Sequence, residues 1–465
     1  MRNLFFFFLL FCAAYTASSQ SKPNVRQSII NQNTFQGQGA QTTTNGGQNG
    51  KLLERAPMTP ASASGSKDSS VSNSSPLPSS LRSSPDNVIR IGLLLPLATK
   101  NTLDRLYASM NDNEKSKSDV NNKLKNSTQE VLDFYEGIRY ALSTSLSKQK
   151  IALYVFDTEN NDSIVQELMK DDSLKLCDII IGPTTSNQAK IVSAFCKKNR
   201  IINIQPFVAS KAFSSENPFL VRFMPTIDAH LQKEYEMVID SFSDANIIVY
   251  TTKKERDLSA ARQLDTLFKS YNEINTHKLR YTFVNSGDSS MPVAKRSLTA
   301  HILPKEQNVI LMTCYDEPVV NSQLRSFRDH VVIFGMPTWI EAEQIRADYL
   351  SKSEPFFTDN FYVDTAQSRV GDFVTAYTMT NNQKPSRYSY LGYDAMRYLT
   401  VIFDKYGKNI KIGFDNESYD GLGFSFHMSP VIRVSKNSGT PVINYYTNTA
   451  MHLFRVSDYK VWLVK

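Results

Sequence analysis

Past its first twenty residues, no stretch of this chain is apolar over the length a bilayer requires, which removes a membrane-spanning bundle from consideration. The six histidines, at 230, 277, 301, 330, 427 and 452, are scattered, and no i, i+4 pair offers two metal ligands on one helix face. There is no G-x-S-x-G elbow, no P-loop and no G-x-G-x-x-G turn, so the motifs of hydrolases, nucleotide enzymes and dinucleotide binders are missing. Asp228-Ala229-His230 is a lone acid–histidine pair without a nucleophile and reads as the start of a surface helix. No metal or cofactor is expected, and no enzyme. The formal charge is +7 with no basic run, which argues against nucleic acid as a partner. Arg2 and an excess of three on residues 20–87 account for part of it, leaving +3 on the rest.

The opening, MRNLFFFFLLFCAAYTASSQ, has a basic residue at Arg2, an apolar run from Leu4 to Ala14 and small residues at Ala17-Ser18-Ser19. This is the anatomy of a secretory signal over residues 1–19, and it predicts export to the periplasm or cell envelope. Cys12 follows the bulky Phe11, where a lipid-anchor signal needs a small residue. Residues 20–87 are rich in Ser, Asn, Gln, Thr, Gly and Pro. Such a tract has little to bury and reads as a disordered linker. Three cysteines follow the signal: Cys177, Cys196 and Cys314. Cys177 and Cys196 fall at neighbouring ends of a strand and a helix, where either a disulfide or two buried thiols fits; an odd count leaves at least one unpaired.

From Val88 the texture alternates between buried strands and helices. VIRIGLLL (88–95), Ile151–Phe156, Asp178–Ile181 and Ile201–Ile204 read as strands. Thr128–Leu146, a segment from Ile164 and Ser186–Lys198 read as the helices between them. A second series holds the strands Ala245–Tyr250, Asn308–Met312 and Val331–Phe334, with helices at Asp257–Tyr271 and Val319–Arg328. Helices at Gly371–Thr378 and Tyr390–Tyr406 follow, and the texture turns to β after Gly421. The fold class is α/β, with two Rossmann-like lobes built on parallel sheets. The first lobe is expected over 88–222 plus 363–420, the second over 223–362 plus 421–465. An insert at 99–127 would hang over the ligand end of the first sheet, as a surface loop or a flap.

The segment from Asp178 to Phe219 concentrates the chemistry. DIIIGPTTS ends a strand in hydroxyl-bearing turn residues and opens a helix. Open α/β sheets hold ligands at such strand tips, and backbone N–H groups at a helix start with a hydroxyl beside them suit a carboxylate. Thr184, Thr185 and Ser186 are therefore candidate ligand contacts, with Ser186 the expected N-cap. Asp157 ends the preceding strand and reads as a turn former with Thr158.

IRIGLLLPL, FYEGIRYAL, YVFDTEN, DIIIGPTTS, NPFLVRFMPT, VVIFGMPTW and the late run SYLGYDAMRYL, in this order, resemble the type I periplasmic binding proteins, the leucine- and amide-type solute-binding proteins of ABC transporters. The resemblance spans Val88 to Lys465. It implies two lobes joined by three crossover strands with a ligand in the cleft between them. The chain looks closest to a bacterial branch often fused to LysM repeats; none is found here. Amino-acid binders of the family show small residues and a Thr after the second strand of the unit. Here that turn is Gln205-Pro206-Phe207-Val208-Ala209-Ser210, so Phe207 and Ser210 are the candidate contacts, and the departure suits either a more apolar or aromatic ligand or a cleft partly filled by its own side chains. In the second lobe Tyr315 and Trp339 are candidate aromatic walls, and the turn Gly335–Trp339 has no carboxylate before Glu341. Asp394, in Gly-Tyr-Asp-Ala, reads as structural, near a helix start.

The resulting expectation is a solute-binding protein that captures a small polar or amphipathic ligand and presents it to an ABC permease. The alternative of another class is an envelope regulator of the same fold acting on peptidoglycan synthesis.

Overall fold

The computed structural model describes residues 88–98, 126–208, 216–285, 298–327, 331–435 and 439–464. The expected signal (1–19), the linker (20–87), most of the 99–127 insert and Ser210 lie outside the described residues.

The chain starts with β1 (Val88–Leu95), α1 (Asn126–Ser143), β2 (Lys150–Asp157), the short helices α2 (Asp162–Leu168) and α3 (Asp172–Lys175), β3 (Ile179–Ile181), α4 (Ser186–Asn199), β4 (Ile202–Gln205) and β5 (Leu220–Arg222). It then crosses to a second sheet with α5 (Ile227–Phe242), β6 (Asn246–Thr251), α6 (Glu255–Ile274), β7 (Arg280–Asn285) and β8 (Asn308–Met312). The same sheet continues with α7 (Glu317–Leu324), β9 (Val331–Phe334), a 3-10 turn at Pro337–Glu341, α8 (Ala347–Ser353) and β10 (Phe356–Asp359). It returns for α9 (Ser368–Asn381), α10 (Arg387–Tyr406), α11 (Ile410–Asn416), β11 (Ser418–Asp420), β12 (Ser425–Val434) and β13 (Pro441–Asn448). A last crossing leads to β14 (His452–Ser457) and β15 (Lys460–Leu463).

The first sheet has the order β11-β12-β13-β5-β4-β3-β1-β2, and the second β15-β14-β10-β9-β8-β6-β7. Their central strands are parallel. Parallel strands covered on both faces alternate between two cores. Ile91, Leu93 and Leu95 join one cluster with α1, α9 and α10, while Leu94 and Ile180 join the opposite one with α4. The second sheet divides likewise, Ile248 and Tyr250 against Ile247 and Val249.

One boundary differs from the sequence expectation. The sequence pattern places residues 421–448 in the second lobe, yet β12 and β13 complete the first sheet, with β13 pairing in parallel to β5 through Tyr446↔Val221. The β texture after Gly421 is real, but strand pattern alone does not say which sheet a strand joins. Only β14 and β15 extend the second sheet, where β14 runs antiparallel to β10.

Asp394 sits in the middle of α10 rather than at its start. Its carboxylate accepts from the backbone N–H groups of Leu422, Gly423 and Phe424, each at 2.8 Å, and so ties the approach to β12 onto the helix. Burial pushes this carboxyl up to about 6, against the pull of those three donors. Helix α10 itself opens with a reciprocal cap between Ser386 and Ser389. Cys177, Cys196 and Cys314 are buried free thiols, so the Cys177–Cys196 disulfide is not formed.

Candidate functional site

Strands β5, β10 and β13 each run toward the carboxyl edge of their sheet, and each of the three crossings leaves from such an edge. The tips of both sheets therefore meet the same junction. Backbone and side-chain contacts close it: the Tyr362 backbone N–H donates to the Gly423 carbonyl at 2.8 Å, Asn448 Nδ2 donates to the Phe223 carbonyl at 3.1 Å, and the Phe361 ring lies 4.9 Å from that of Phe424. Arg387, first residue of α10, forms a two-pronged ion pair with Asp359 at the tip of β10, at 2.7 and 2.9 Å. The guanidinium also lies over the Phe361 and Phe424 rings. His230 adjoins this pair, half-buried, and its Nδ1 is 2.9 Å from Thr358 Oγ1. Burial pushes its imidazole down to about 4.

In the first lobe the turn after β3 is held from below. Gly182 N–H donates to the Ile204 carbonyl at 2.8 Å. Its own carbonyl accepts from Asn203 Nδ2 at 3.0 Å and Gln205 Nε2 at 2.7 Å, both side chains being fully buried. Only glycine fits here, since φ is +96° and a Cβ would stand 2.3 Å from the Leu94 carbonyl oxygen. The N-cap of α4 is Thr185, not Ser186, because Thr185 keeps extended backbone angles while Ser186 is already helical. The Thr185 hydroxyl makes no capping bond. Thr184 and Thr185 are half-buried and Ser186 is exposed, so the three hydroxyls stand together at the helix start. Gln188, on the first turn of α4, is buried, and its Oε1 has no hydrogen-bond partner among the described residues. Sequence reasoning passed over Gln188 because a glutamine inside a helix carries no signal of its own. Asp157 is a turn former, as expected: its Oδ1 accepts from Leu97, Ala98 and Glu159 N–H.

Phe207 does not project freely at the tip of β4. It meets Phe134 edge-on at 4.9 Å and stacks on Tyr388 at 5.9 Å. Beside it lies a cavity of about 140 Å³, lined by Pro206, Phe207, Met224, Arg387, Tyr388, Leu391 and Phe424. A larger, open groove of about 730 Å³ on the second lobe, including Pro318, Arg325, Arg346 and Tyr349, contains none of the strand-tip residues.

In the second lobe Tyr315 is half-buried beneath Arg256, whose guanidinium carbon is 3.4 Å from the ring centroid. Burial pushes its hydroxyl up to about 12. Trp339 is 3% exposed and its indole N–H donates to the Cys314 carbonyl at 3.0 Å. It packs in the second-lobe core as an anchor between two strand tips, where a ligand wall would stand open. A carboxyl missed from the sequence is Glu234 on α5. It is buried, its Oε1 has no hydrogen-bond partner among the described residues, and burial holds it well above the usual carboxylate range. Its charge acts on Tyr315, although the two are 81 positions apart, and no local motif marks it.

The pattern of the family described as "Receptor family ligand binding region" matches residues 139–413, more than half of the chain. The chain belongs to this family. Members of the type I periplasmic binding fold share its arrangement of two sheets. A leucine-complexed ABC transporter substrate-binding protein from Desulfitobacterium hafniense is 14% identical, with a TM-score of 0.51 over 81% of this chain and 100% of its own. A second from the same organism is 12% identical, with a TM-score of 0.54 over 81% and 100%. A branched-chain amino acid ABC transporter periplasmic ligand-binding protein from Burkholderia xenovorans is 11% identical, with a TM-score of 0.52 over 81% and 94%. No curated protein matches this receptor-family chain. Among its described residues no helix is long and apolar enough to cross a membrane.

Proposed function

We propose that this receptor-family chain is an exported solute-binding protein that captures a small polar or amphipathic ligand between its lobes and delivers it to an ABC importer. One observation carries the reading: both sheets bring their strand tips to one junction, and the tip of β3 leads into three adjacent hydroxyls at the start of α4. Uncommitted hydroxyls and helix-start N–H groups suit a carboxylate or another polar head. Thr184, Thr185 and Ser186 hold it from the first lobe; Tyr315 faces it from the second. Phe207 borders the apolar side. Closure of the lobes about the three crossings then buries the ligand.

The test is a thermal-shift screen of amino acids, organic acids, nucleosides and muropeptides. A ligand at a hundred times its Kd adds about 2.7 kcal/mol to folded-state stability. The rise should shrink when Ser186→Ala is assayed with the same ligand. Packing of Phe207 against Phe134 and Tyr388 favours the second reading, a ligand-insensitive envelope regulator. Absence of a shift with every class, together with co-purification of an envelope synthase, selects that reading instead.

A further inference from the structure

The open groove of about 730 Å³ on the second lobe includes no residue of the candidate site, and what it takes is independent of the solute-binding reading. One wall is a face of α7, where Pro318, Asn321, Ser322 and Arg325 recur at the i, i+3, i+4, i+7 spacing that aligns side chains along a helix. The other wall is the segment 344–346 with Tyr349 of α8. Asn321 fastens the two walls, its Nδ2 donating to the Gln344 carbonyl at 2.7 Å and its Oδ1 accepting from the Arg346 N–H at 2.9 Å. Glu317 Oε2 accepts from the Gln344 N–H at 2.7 Å. The groove is thus preformed.

Its charge has one sign. Arg325 is exposed and makes no ion pair. Arg346 gives Nε and Nη2 to Asp348, both at 2.9 Å, and its guanidinium carbon lies 4.6 Å from the Tyr349 ring, so it is held in place with Nη1 uncommitted. Among the described residues no carboxylate lines the groove. Planar guanidinium donors match carboxylates in particular. An open groove does not enclose a small solute, whose sites bury about 70–90% of its surface. A chain lying along it is held at several points instead. The eight residues of α7 span about 12 Å, which an extended peptide covers with about four. The chain's own segments 20–87 and 99–127 are both net basic, the latter with six Lys/Arg against four acids, and a second copy brings the same +7. The fitting occupant is another protein.

We propose that this groove docks an acidic peptide segment of a partner protein, with Arg325 and Arg346 each receiving a carboxylate and Pro318 and Tyr349 flanking the side-chain methylenes.

The test titrates the full chain with fluorescein-labelled hexaglutamate by anisotropy, against labelled hexalysine and unlabelled citrate. Hexaglutamate should bind saturably, and more weakly as salt rises; hexalysine should not bind. Arg325→Gln should weaken hexaglutamate about tenfold, the scale of one charge-assisted hydrogen bond. Arg346→Gln should weaken it too, whereas Asp348→Asn, which releases two N–H groups of Arg346, should tighten it. Lys305→Gln removes an equal charge from an exposed position outside the groove and should change affinity by no more than about twofold. Far-ultraviolet circular dichroism checks that each variant folds. A loss in Lys305→Gln equal to that in Arg325→Gln overturns the proposal in favour of diffuse surface charge, as does the absence of saturable binding. Failure of both Arg346→Gln and Asp348→Asn to move the affinity overturns the groove as the site. Citrate that displaces the peptide at equal concentration overturns the peptide assignment and leaves a small-anion site.

Discussion

Replacing Gly392 by alanine should unseat the helix that carries Arg387 and Tyr388 to the junction. Helices α1 and α10 cross where each has a glycine. A Cβ at 392 would stand 2.0 Å from the Phe134 carbonyl oxygen and 3.1 Å from the Ile138 nitrogen. A Cβ at 137 would stand 2.2 Å from the Ser389 carbonyl oxygen. Carbon–oxygen contacts settle near about 3.4 Å, so the helices must part by roughly 1.4 Å. The obstacle is backbone, and no rotamer change relieves it. A gap of 0.5–1 Å already forfeits about a quarter to a half of a contact's dispersion energy. Buried Phe134, Ile138, Leu391 and Ala395 all lie in the cluster that would open. Overpacking commonly costs about 1–3 kcal/mol, and a backbone clash belongs at or above the top of that range. Alanine's better helix propensity returns about 1 kcal/mol. The net expectation for Gly392→Ala is a loss of about 2–3 kcal/mol in urea unfolding followed by circular dichroism. Gly137→Ala should behave alike, and the double variant should cost less than the sum, since the first substitution has already parted the helices. A loss below about 0.5 kcal/mol, the range of an ordinary surface change, would refute the crossing argument.

Further tests address the junction and the second lobe. A double-mutant cycle on Arg387→Gln and Asp359→Asn should return a coupling of about 1–2 kcal/mol, because the pair is two-pronged and mostly shielded; a value near zero would remove it as a link between lobes. His230 titrates at about 4 when folded and near 6.5 when unfolded, so below pH 6.5 the unfolded chain takes up the proton first. Its contribution is complete above pH 6.5 and is lost as pH falls toward 4, by at most about 3 kcal/mol, and by less since the residue keeps some surface in solvent. His230→Gln should flatten that part of the stability–pH curve, and an unchanged slope would contradict the burial assignment. Trp339→Phe should cost about 2 kcal/mol of stability by stranding the Cys314 carbonyl, while ligand-induced stabilisation persists; loss of ligand response at unchanged stability would restore it as a ligand wall.

Much of the architecture is readable from patterns that are local. The run VIRIGLLL is one strand with the bounds its apolar residues suggest, because a parallel strand buried on both faces must be apolar throughout. β3 and β4 follow for the same reason. β7, half solvent-facing at a sheet edge, lacks that signal. The hydroxyl turn is legible too, although the cap falls one residue earlier than Ser186, on a backbone angle that sequence does not display. What escaped depends on partners far along the chain. Trp339 offers the same letter whether it lines a cleft or fills a core; the Cys314 carbonyl decides. Glu234 and Gln188 become notable only once their surroundings leave an oxygen unmatched. The pairing of β13 with β5 joins positions more than two hundred residues apart, and nothing in either strand announces the other.

That pairing has a consequence for how the molecule comes into being. The first sheet is seeded by the earliest described strands, yet three of its eight strands and the long helix α10 arrive only after the whole α5–β10 series has been made. Up to residue 448 the leading half is an unfinished shell with an exposed β5 flank, held back by the entropy of closing so large a loop. Maturation should thus be late and nearly all at once, which leaves a long interval in which the polypeptide is still loose enough to be threaded through a narrow channel.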